Sequence, residues 1–267
     1  MSMKSLRKAL TIAGSDSGAG AGIQADLKTF AALGVYGTSV ITAITAQNTI
    51  AVTKILELDP RLVAAQIDAV AEDIGAHALK TGMLANSRII QIVALKIRQH
   101  AFKKVVVDPV MVAKSGDLLL HKEAVAALRA RLIPLAAVLT PNIPEAEELT
   151  GMRITTGRDV ERAASRLIDM GARSVVIKGG HRKGAAVDIF YDGAKFHQFS
   201  SPRIRTRHTH GTGCTFSAAI AAYLARGENV QTAVAYAKEF ITEAIRHGFA
   251  IGAGHSPTHH FHRFWRK

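Results

Sequence analysis

The sequence predicts a doubly wound α/β domain, a largely parallel sheet with helices on both faces. Three observations lead there. Short β-rich apolar runs alternate along the chain with segments of helical periodicity, a pattern that requires a parallel sheet buried on both sides. The 267 residues, 48% of them hydrophobic, suffice for one large core. No linker rich in Pro, Gly or Ser interrupts them, and neither a fixed-period repeat nor a low-complexity stretch is present. A single domain over residues 1–267 is therefore expected.

The elements follow in order. Lys4, Arg7 and Lys8 precede an apolar run as in a secretory leader, but Ala9–Ala13 is too short for one and reads as the first strand. Ile23, Leu27, Phe30 and Ala31 form a helical stripe that Gly34 can stop. Strands are expected at Thr38–Ile44 and Val52–Leu58. Asp59 caps a helix with Pro60 at its first position, and Val63, Ile67, Val70 and Ile74 mark its core face. A strand at Ala78–Thr81 precedes a helix from Asn86 to about Gln99. A strand at Lys104–Asp108, a helix over His121–Leu132 and a strand at Ala137–Thr140 come next, then a helix carrying Glu147 and Glu148. After a strand at Ser174–Lys178, Val187–Tyr191 and Lys195–Phe199 read as a hairpin turning at Asp192-Gly193. Thr212–Arg226 is helical and ends at Gly227, and Asn229 caps a last helix to about His247.

Composition excludes several classes. No apolar run approaches the roughly 18 residues that span a bilayer, and a cytoplasmic protein is expected. The single cysteine, Cys214, excludes an intrachain disulfide and a multi-cysteine zinc site. Lys and Arg number 34 against 21 Asp and Glu, a formal charge of +13. That excess suits nucleic acid, an acidic membrane or phosphorylated small molecules, and does not choose among them.

In open α/β sheets ligands bind beyond the carboxyl ends of the strands, so the residues that follow each strand carry the chemistry. The first strand leads into Gly14-Ser15-Asp16-Ser17-Gly18-Ala19-Gly20-Ala21-Gly22, whose glycines allow close backbone approach at a helix start. It is a poor dinucleotide fingerprint, because Ile23 stands where the third glycine belongs and no acidic residue occurs between Asp26 and Glu57. A Walker A loop is excluded, since the chain has no Gly-Lys dipeptide. Asp108 ends a strand. Asn142 and Glu145, three apart at a helix start, fit either a hydrated Mg²⁺ or a capping box. Lys178 ends another strand, placed to meet phosphate or simply solvated. His210-Gly211-Thr212-Gly213-Cys214 opens a helix, where N–H groups make an anion nest and the helix end should lower the thiol pKa; the alternative for Cys214 is a small buried apolar residue. Together, a cation-binding pair, a lysine and an anion nest suggest phosphoryl transfer.

Several strings resemble the hydroxymethylpyrimidine and phosphomethylpyrimidine kinases of thiamine biosynthesis. They are Thr11–Ser17, Gly22–Thr29, Thr45–Thr49, Lys80–Leu84, Val107–Met111, Ala113–Asp117, Thr140–Ala146, Ile177–His181, Thr209–Thr215 and His259–His262. They run in order through nearly the whole chain, and Cys214 stands where related sugar kinases usually carry Asp. The resemblance implies a ribokinase-like three-layer α/β/α sandwich and two successive Mg·ATP-dependent phosphorylations, first to the monophosphate and then to the diphosphate. It implies that Gly14, Ala21, Asp26, Gln47, Met83 and Val110 line the pyrimidine pocket, and that Asp108, Asn142 and Glu145 hold or orient Mg²⁺. Lys178, Asn142 and Thr209 would meet the nucleotide, Gly211, Thr212 and Gly213 would stabilise the moving phosphoryl group, and Cys214 would take the hydroxymethyl proton. A homodimer is expected, with no membrane or nucleic-acid partner. Ala19 departs from a glycine-rich loop and would be strained at positive φ. Arg203, Arg205 and Arg207 share one face of an extended segment and could meet phosphate or solvent. Lys238 is a further, weak candidate for a nucleotide contact. The alternatives are a pyridoxine or pyridoxal kinase within the superfamily and, from another class, a basic RNA-binding protein using Phe261, Phe264 and Trp265. The histidines at 255, 259, 260 and 262 invite a metal reading that the family terminus argues against.

Overall fold

The computed structural model describes residues 6–113, 116, 119–121, 123–180 and 184–265. Lys4, three motif residues (Lys114, Ser115, Asp117), Lys122 of the expected 121–132 helix and His181 lie outside the described residues.

Nine strands make one sheet among the described residues: β1 (Lys8–Asp16), β2 (Tyr36–Gln47), β3 (Val52–Glu57), β4 (Ala78–Thr81), β5 (Val105–Val107), β6 (Val138–Leu139), β7 (Val175–Ile177), β8 (Ala186–Tyr191) and β9 (Phe196–Ser201). Their order is β3-β2-β1-β4-β5-β6-β7-β8-β9. The strands from β2 to β7 run parallel, whereas β3 and the β8–β9 hairpin add antiparallel edges. The central strands are buried on both faces, which is why they read as unbroken valine and isoleucine runs. Side-chain alternation divides them between two cores: Val105 and Val107 point into one, Val106 into the other.

The first core is covered by α2 (Pro60–Ala69), α3 (Ser87–Gln99), α4 (Ala124–Ala127), α5 (Ile143–Thr150) and α6 (Gly157–Asp169). The second is covered by α1 (Gly22–Ala32), α7 (Thr212–Arg226) and α8 (Val230–Arg246). Helix α7 is buried without interruption from Thr215 to Ala225. A helix apolar on all sides belongs inside a layer, and its alanines let it lie close to the sheet. Among the described residues no helix is long and apolar enough to cross a membrane.

Several local expectations hold. Asp59 accepts from Arg61 N with Pro60 at the first helical position, Asn86 caps α3, Asn229 caps α8, and Gly34 and Gly227 take positive φ after α1 and α7. Two helices differ. The stretch read as helical over His121–Leu132 begins only at Ala124 and widens into a π turn at Leu128–Leu132. His121 is drawn away, its backbone N–H bonding Ala85 O and its ring Glu57. Helix α6 has no counterpart in the sequence reading, although its signals were present. Thr156 and Asp159 form a reciprocal capping box, and Val160, Ala163, Ala164 and Leu167 make its buried stripe.

Because β1 pairs with β2 on one side and β4 on the other, the chain reverses direction of winding between β1 and β4. The loops leaving the two strands splay apart there, and the crevice opens at their carboxyl ends.

Candidate active site

A cavity of about 1010 Å³ occupies that crevice. Gly14, Ala21, Gln47, Met83 and Val110 line one part of it, and Asp108, Asn142, Glu145, Lys178, Thr209 and Gly211–Cys214 line the next. The wall continues past Arg203 and Ile204 to Ile241 and Ile245 on α8, so the volume suits two ligands side by side.

The glycine loop does not offer its amides as a ligand cradle. Asp16 turns its carboxylate back into the loop, where Oδ1 accepts from Gly18 N at 2.8 Å and Oδ2 from Gly20 N at 3.1 Å and Ala21 N at 2.8 Å. His210 Nε2 lies 2.9 Å from the same Oδ2. Burial alone would raise this carboxyl, but the bond from His210 and those from the loop amides outweigh it and hold Asp16 below the usual carboxylate range. Ala19 is at φ 59°, a left-handed conformation that costs an alanine roughly 1–2 kcal/mol. Two glycines are required where the loop meets α7. A Cβ on Gly211 would stand 1.8 Å from Gly20 O, and one on Gly20 would stand 2.2 Å from the His210 ring.

Asp26, expected in the pyrimidine pocket, is set apart from the other five residues of that set. It is fully buried and forms no part of the cavity wall. Its carboxylate instead accepts from Lys80 Nζ at 2.8 and 3.1 Å and from Thr11 Oγ1 at 2.6 Å. A carboxylate sealed in apolar surroundings needs a counter-ion, and Lys80, equally buried, supplies it. Lys80 does reach the cavity. Burial would lower its pKa, yet Asp26, Cys214 and Asp108 together outweigh that and keep the ammonium charged.

The ends of β5, β6 and β7 assemble a charged cluster. Lys178 Nζ lies 2.9 Å from Asp108 Oδ1 and 3.9 Å from Glu145 Oε2. Asp108 also accepts from Thr140 Oγ1 and Ser217 Oγ. Burial pushes against its ionisation, but Lys178, Lys80 and these bonds hold it below the ordinary range. Asn142 and Glu145 form the capping box of α5: Asn142 Oδ1 accepts from Glu145 N at 2.9 Å, and Glu145 Oε2 from Asn142 N at 2.7 Å. Burial, with Asp108 adding to it, pushes the Glu145 carboxyl up to about 7 against the pull of Lys178.

Cys214 lies in the first turn of α7, whose opening Thr212 N–H is already taken by Thr209 O at 3.3 Å, so the expected anion nest is reduced by one donor. The expected lowering of its thiol is overturned. Burial pushes it up to about 11, with Asp26 and Asp108 adding to the rise, while Lys80 and a bond from Gly22 N oppose it. Desolvation of a thiolate outweighs one helix end.

Other expectations separate in the same way. Lys238 lines the cavity, but its Nζ is held by Asp188 Oδ2 at 2.8 Å. Arg203 donates to Gly180 O and Gly184 O, whereas Arg205 and Arg207 are exposed. The terminal histidines pack inward: His260 bonds Thr215 Oγ1 at 3.0 Å and is pushed down to about 3, chiefly by burial. His259 lies against Phe249, His262 stacks on His247, and Phe261 stacks on Trp265. Among the described residues one other cluster, Asp68, Glu72 and His100, brings ligand atoms together, but the Asp68 carboxylate is already engaged by Lys96 Nζ and His100 Nε2 at 2.6 Å each.

Comparison with known proteins decides the family. The phosphomethylpyrimidine kinase family model matches residues 16–259. The hydroxymethylpyrimidine/phosphomethylpyrimidine kinase of Bacillus subtilis is 52% identical over 259 residues, 96% of this chain and 96% of that one. The chain belongs to the phosphomethylpyrimidine kinase family. It is thus a kinase, and its fold is the ribokinase-like sandwich that the resemblance implied. The phosphomethylpyrimidine kinase of Clostridium difficile superposes with a TM-score of 0.81 at 48% identity, over 89% of this chain and 99% of that one. An ADP complex of Bacillus subtilis pyridoxal kinase superposes with a TM-score of 0.91 at 44% identity, over 97% and 100%.

Three residues of this kinase were not picked out as site residues from sequence: Asp16, Lys80 and His210. Each sits inside a motif that carried the resemblance. Their partners lie 194 residues apart for Asp16 and His210 and 54 for Lys80 and Asp26, beyond any local spacing rule.

Proposed function

We propose that this kinase transfers the γ-phosphoryl group of ATP to the hydroxymethyl oxygen of 4-amino-5-hydroxymethyl-2-methylpyrimidine, and then a second phosphoryl group to the monophosphate, in thiamine biosynthesis. The observation that carries the reading is the placing of Lys178, between Asp108 and Glu145, in one cavity with the Gly211–Cys214 helix start and the Gln47 pocket. The pyrimidine lies by Gly14, Ala21, Gln47, Met83 and Val110. The nucleotide extends from Asn142 and Thr209 towards Ile241 and Ile245. The N–H groups of Gly211, Gly213 and Cys214 and the Lys178 ammonium face the oxygens on which charge spreads as the P–O bond to ADP breaks. In the first step the new O–P bond forms as the hydroxymethyl proton leaves towards Cys214 Sγ. In the second step the attacking phosphate oxygen is already ionised and no proton needs to be taken.

The donor set fits Mg²⁺. Two buried carboxylates share one lysine, and Glu145, pushed up to about 7 by burial with Asp108 adding to it, is a desolvated carboxyl whose ionised form a hard dication would stabilise. Asp108 and Glu145 would hold the ion, with Asn142 orienting Glu145, and the bound ion would neutralise charge on the β- and γ-phosphate oxygens. Glu145→Gln is expected to weaken the Mg²⁺ dependence and, separately, to stabilise the fold. Gln keeps the capping acceptor while removing a carboxyl whose folded pKa of about 7 lies above its ordinary 4.5. Such a group opposes folding wherever the unfolded chain ionises first. The gain, about 1–3 kcal/mol, should be full above pH 7 and vanish below pH 4.5 in thermal melts across that range. Unaltered Mg²⁺ titration would leave Glu145 as a cap alone.

Phosphorylation of pyridoxal is the second reading, supported by the pyridoxal kinase likeness at 44% identity. Steady-state turnover on hydroxymethylpyrimidine, its monophosphate and pyridoxal separates the two, and negligible turnover of both pyrimidines sinks the first. The enzyme is proposed to act as a cytoplasmic homodimer. The exposed cross-strand pair Ile44 and Leu56 near the open sheet edge supports association through β3.

A further inference from the structure

Gln47 is held in an unusual setting. Ser17 clamps its backbone from both sides, with Ser17 Oγ donating to Gln47 O at 2.7 Å and accepting from Gln47 N at 2.8 Å. Its carboxamide nitrogen lies 3.4 Å from His210 Nε2, and its carboxamide oxygen 3.2 Å from Thr45 Oγ1. The Thr45 hydroxyl has one hydrogen, taken by Ser15 O at 2.9 Å, so towards Gln47 it can only accept. His210 Nε2 faces the ionised Asp16 carboxylate at 2.9 Å, which can only accept, so Nε2 carries a hydrogen. Two donors therefore meet at His210 and two acceptors at Thr45. A half-turn of the carboxamide gives Thr45 an N–H to accept, and at His210 it replaces a second donor by Oε1, which can share the Nε2 hydrogen that Asp16 principally takes.

The ring that imposes this choice is itself immobilised. His210 is buried, its backbone N–H donates to Ser256 O, and its ring lies against Gly20, where any larger residue would collide. Asp16 can keep the ring in this tautomer because three loop amides already fix the carboxylate.

We propose that His210 is a specificity-determining positioning residue. Held by Asp16 as the Nε2–H tautomer, it selects the carboxamide rotamer of Gln47 and so the order of donor and acceptor shown to the substrate. One lone pair of Oε1 and one N–H remain for the cavity. That pair matches an exocyclic amino group beside a ring nitrogen, and a ring lacking the amino group leaves Oε1 unpaired. The proposal rests on the pyrimidine lying against Gln47, as given above.

The test compares His210→Phe, His210→Gln, Gln47→Leu and the His210→Phe/Gln47→Leu double variant. Each is assayed on the aminopyrimidine alcohol and on its analogue lacking the 4-amino group. His210→Phe is expected to raise KM for the aminopyrimidine roughly tenfold, to cut the preference over the analogue by a similar factor, and to leave KM for ATP unchanged. His210→Gln, which retains an amide N–H for Asp16, should recover much of the loss, and the double variant should be no worse than Gln47→Leu alone. Losses that multiply in the double variant, or KM for ATP rising in step, would overturn the proposal. An unchanged KM in Gln47→Leu would overturn the pyrimidine placement and this proposal with it. An unchanged KM in His210→Phe beside a raised one in Gln47→Leu would remove His210 alone. Nitrogen-15 NMR of the wild-type ring is independent of how any variant folds: a hydrogen on Nε2 is expected, and a hydrogen on Nδ1 alone overturns the proposal.

Discussion

Cys214→Ala is expected to lower kcat for the alcohol by about 10²–10³, while kcat for the monophosphate falls far less. The difference follows from the two nucleophiles. The hydroxymethyl group must lose a proton as it attacks, whereas a phosphate monoester is already largely ionised at neutral pH. The half-buried thiol adds a pH signature. With its pKa at about 11, the thiolate is a minor form at neutral pH and grows tenfold with each pH unit below that value. First-step kcat/KM in the wild type should therefore climb between pH 7 and 9, and second-step kcat/KM should stay level once the monophosphate is ionised. Rapid-quench measurement of each step separately checks both. Equal losses in the two steps, or a first step flat with pH, would take Cys214 out of the proton transfer.

Lys178→Met should cost about 10²–10³ in kcat for both steps, because it removes a cation proposed to meet charge that develops in either transfer. Its effect on the fold depends on pH. Lys178 is the cation between Asp108 and Glu145, and its loss leaves two buried carboxylates facing each other. Breaking such a cluster costs about 3 kcal/mol, which for a chain of this size lowers Tm by roughly 5–10 °C at pH 8. Glu145 already sits at about 7 with the lysine present, and without it the carboxyl rises further. Below that range it is neutral and the repulsion disappears, so the Tm difference from wild type should shrink from pH 8 to pH 5. A difference independent of pH would mean that Lys178 contributes packing rather than charge.

The elements and strand ends were legible from local sequence because their causes are local. Asn142 and Glu145 illustrate this and its limit. Their spacing allowed a capping box or an ion site, and the structure has the capping box while Glu145 still lines the cavity. A side chain can cap a helix with one oxygen and keep the other for a ligand, so the two readings were never exclusive. Helix α6 was missed for the opposite reason. Its Thr156–Asp159 cap and buried stripe were regular, but no chemistry-bearing residue drew attention to it.

The charge of +13 gains little from the site, since Lys80, Lys178 and Lys238 are each paired with a buried carboxylate and contribute little net charge. Arg205 and Arg207 belong to the exposed remainder.

By itself the sequence determined the β/α alternation, most of the helix caps, the glycines that permit tight turns and the set of residues at the strand ends. These depend on periodicity and on neighbours within a few positions, which are written directly in the chain. Only the tertiary structure decided what those residues face. It paired Asp26 with Lys80 in the core, closed Asp16 onto its own loop and His210, and desolvated the half-buried Cys214 so that its thiol rises instead of falling. A side chain's charge state depends on its desolvation and on charges brought near it by folding, and neither quantity has a spacing in sequence.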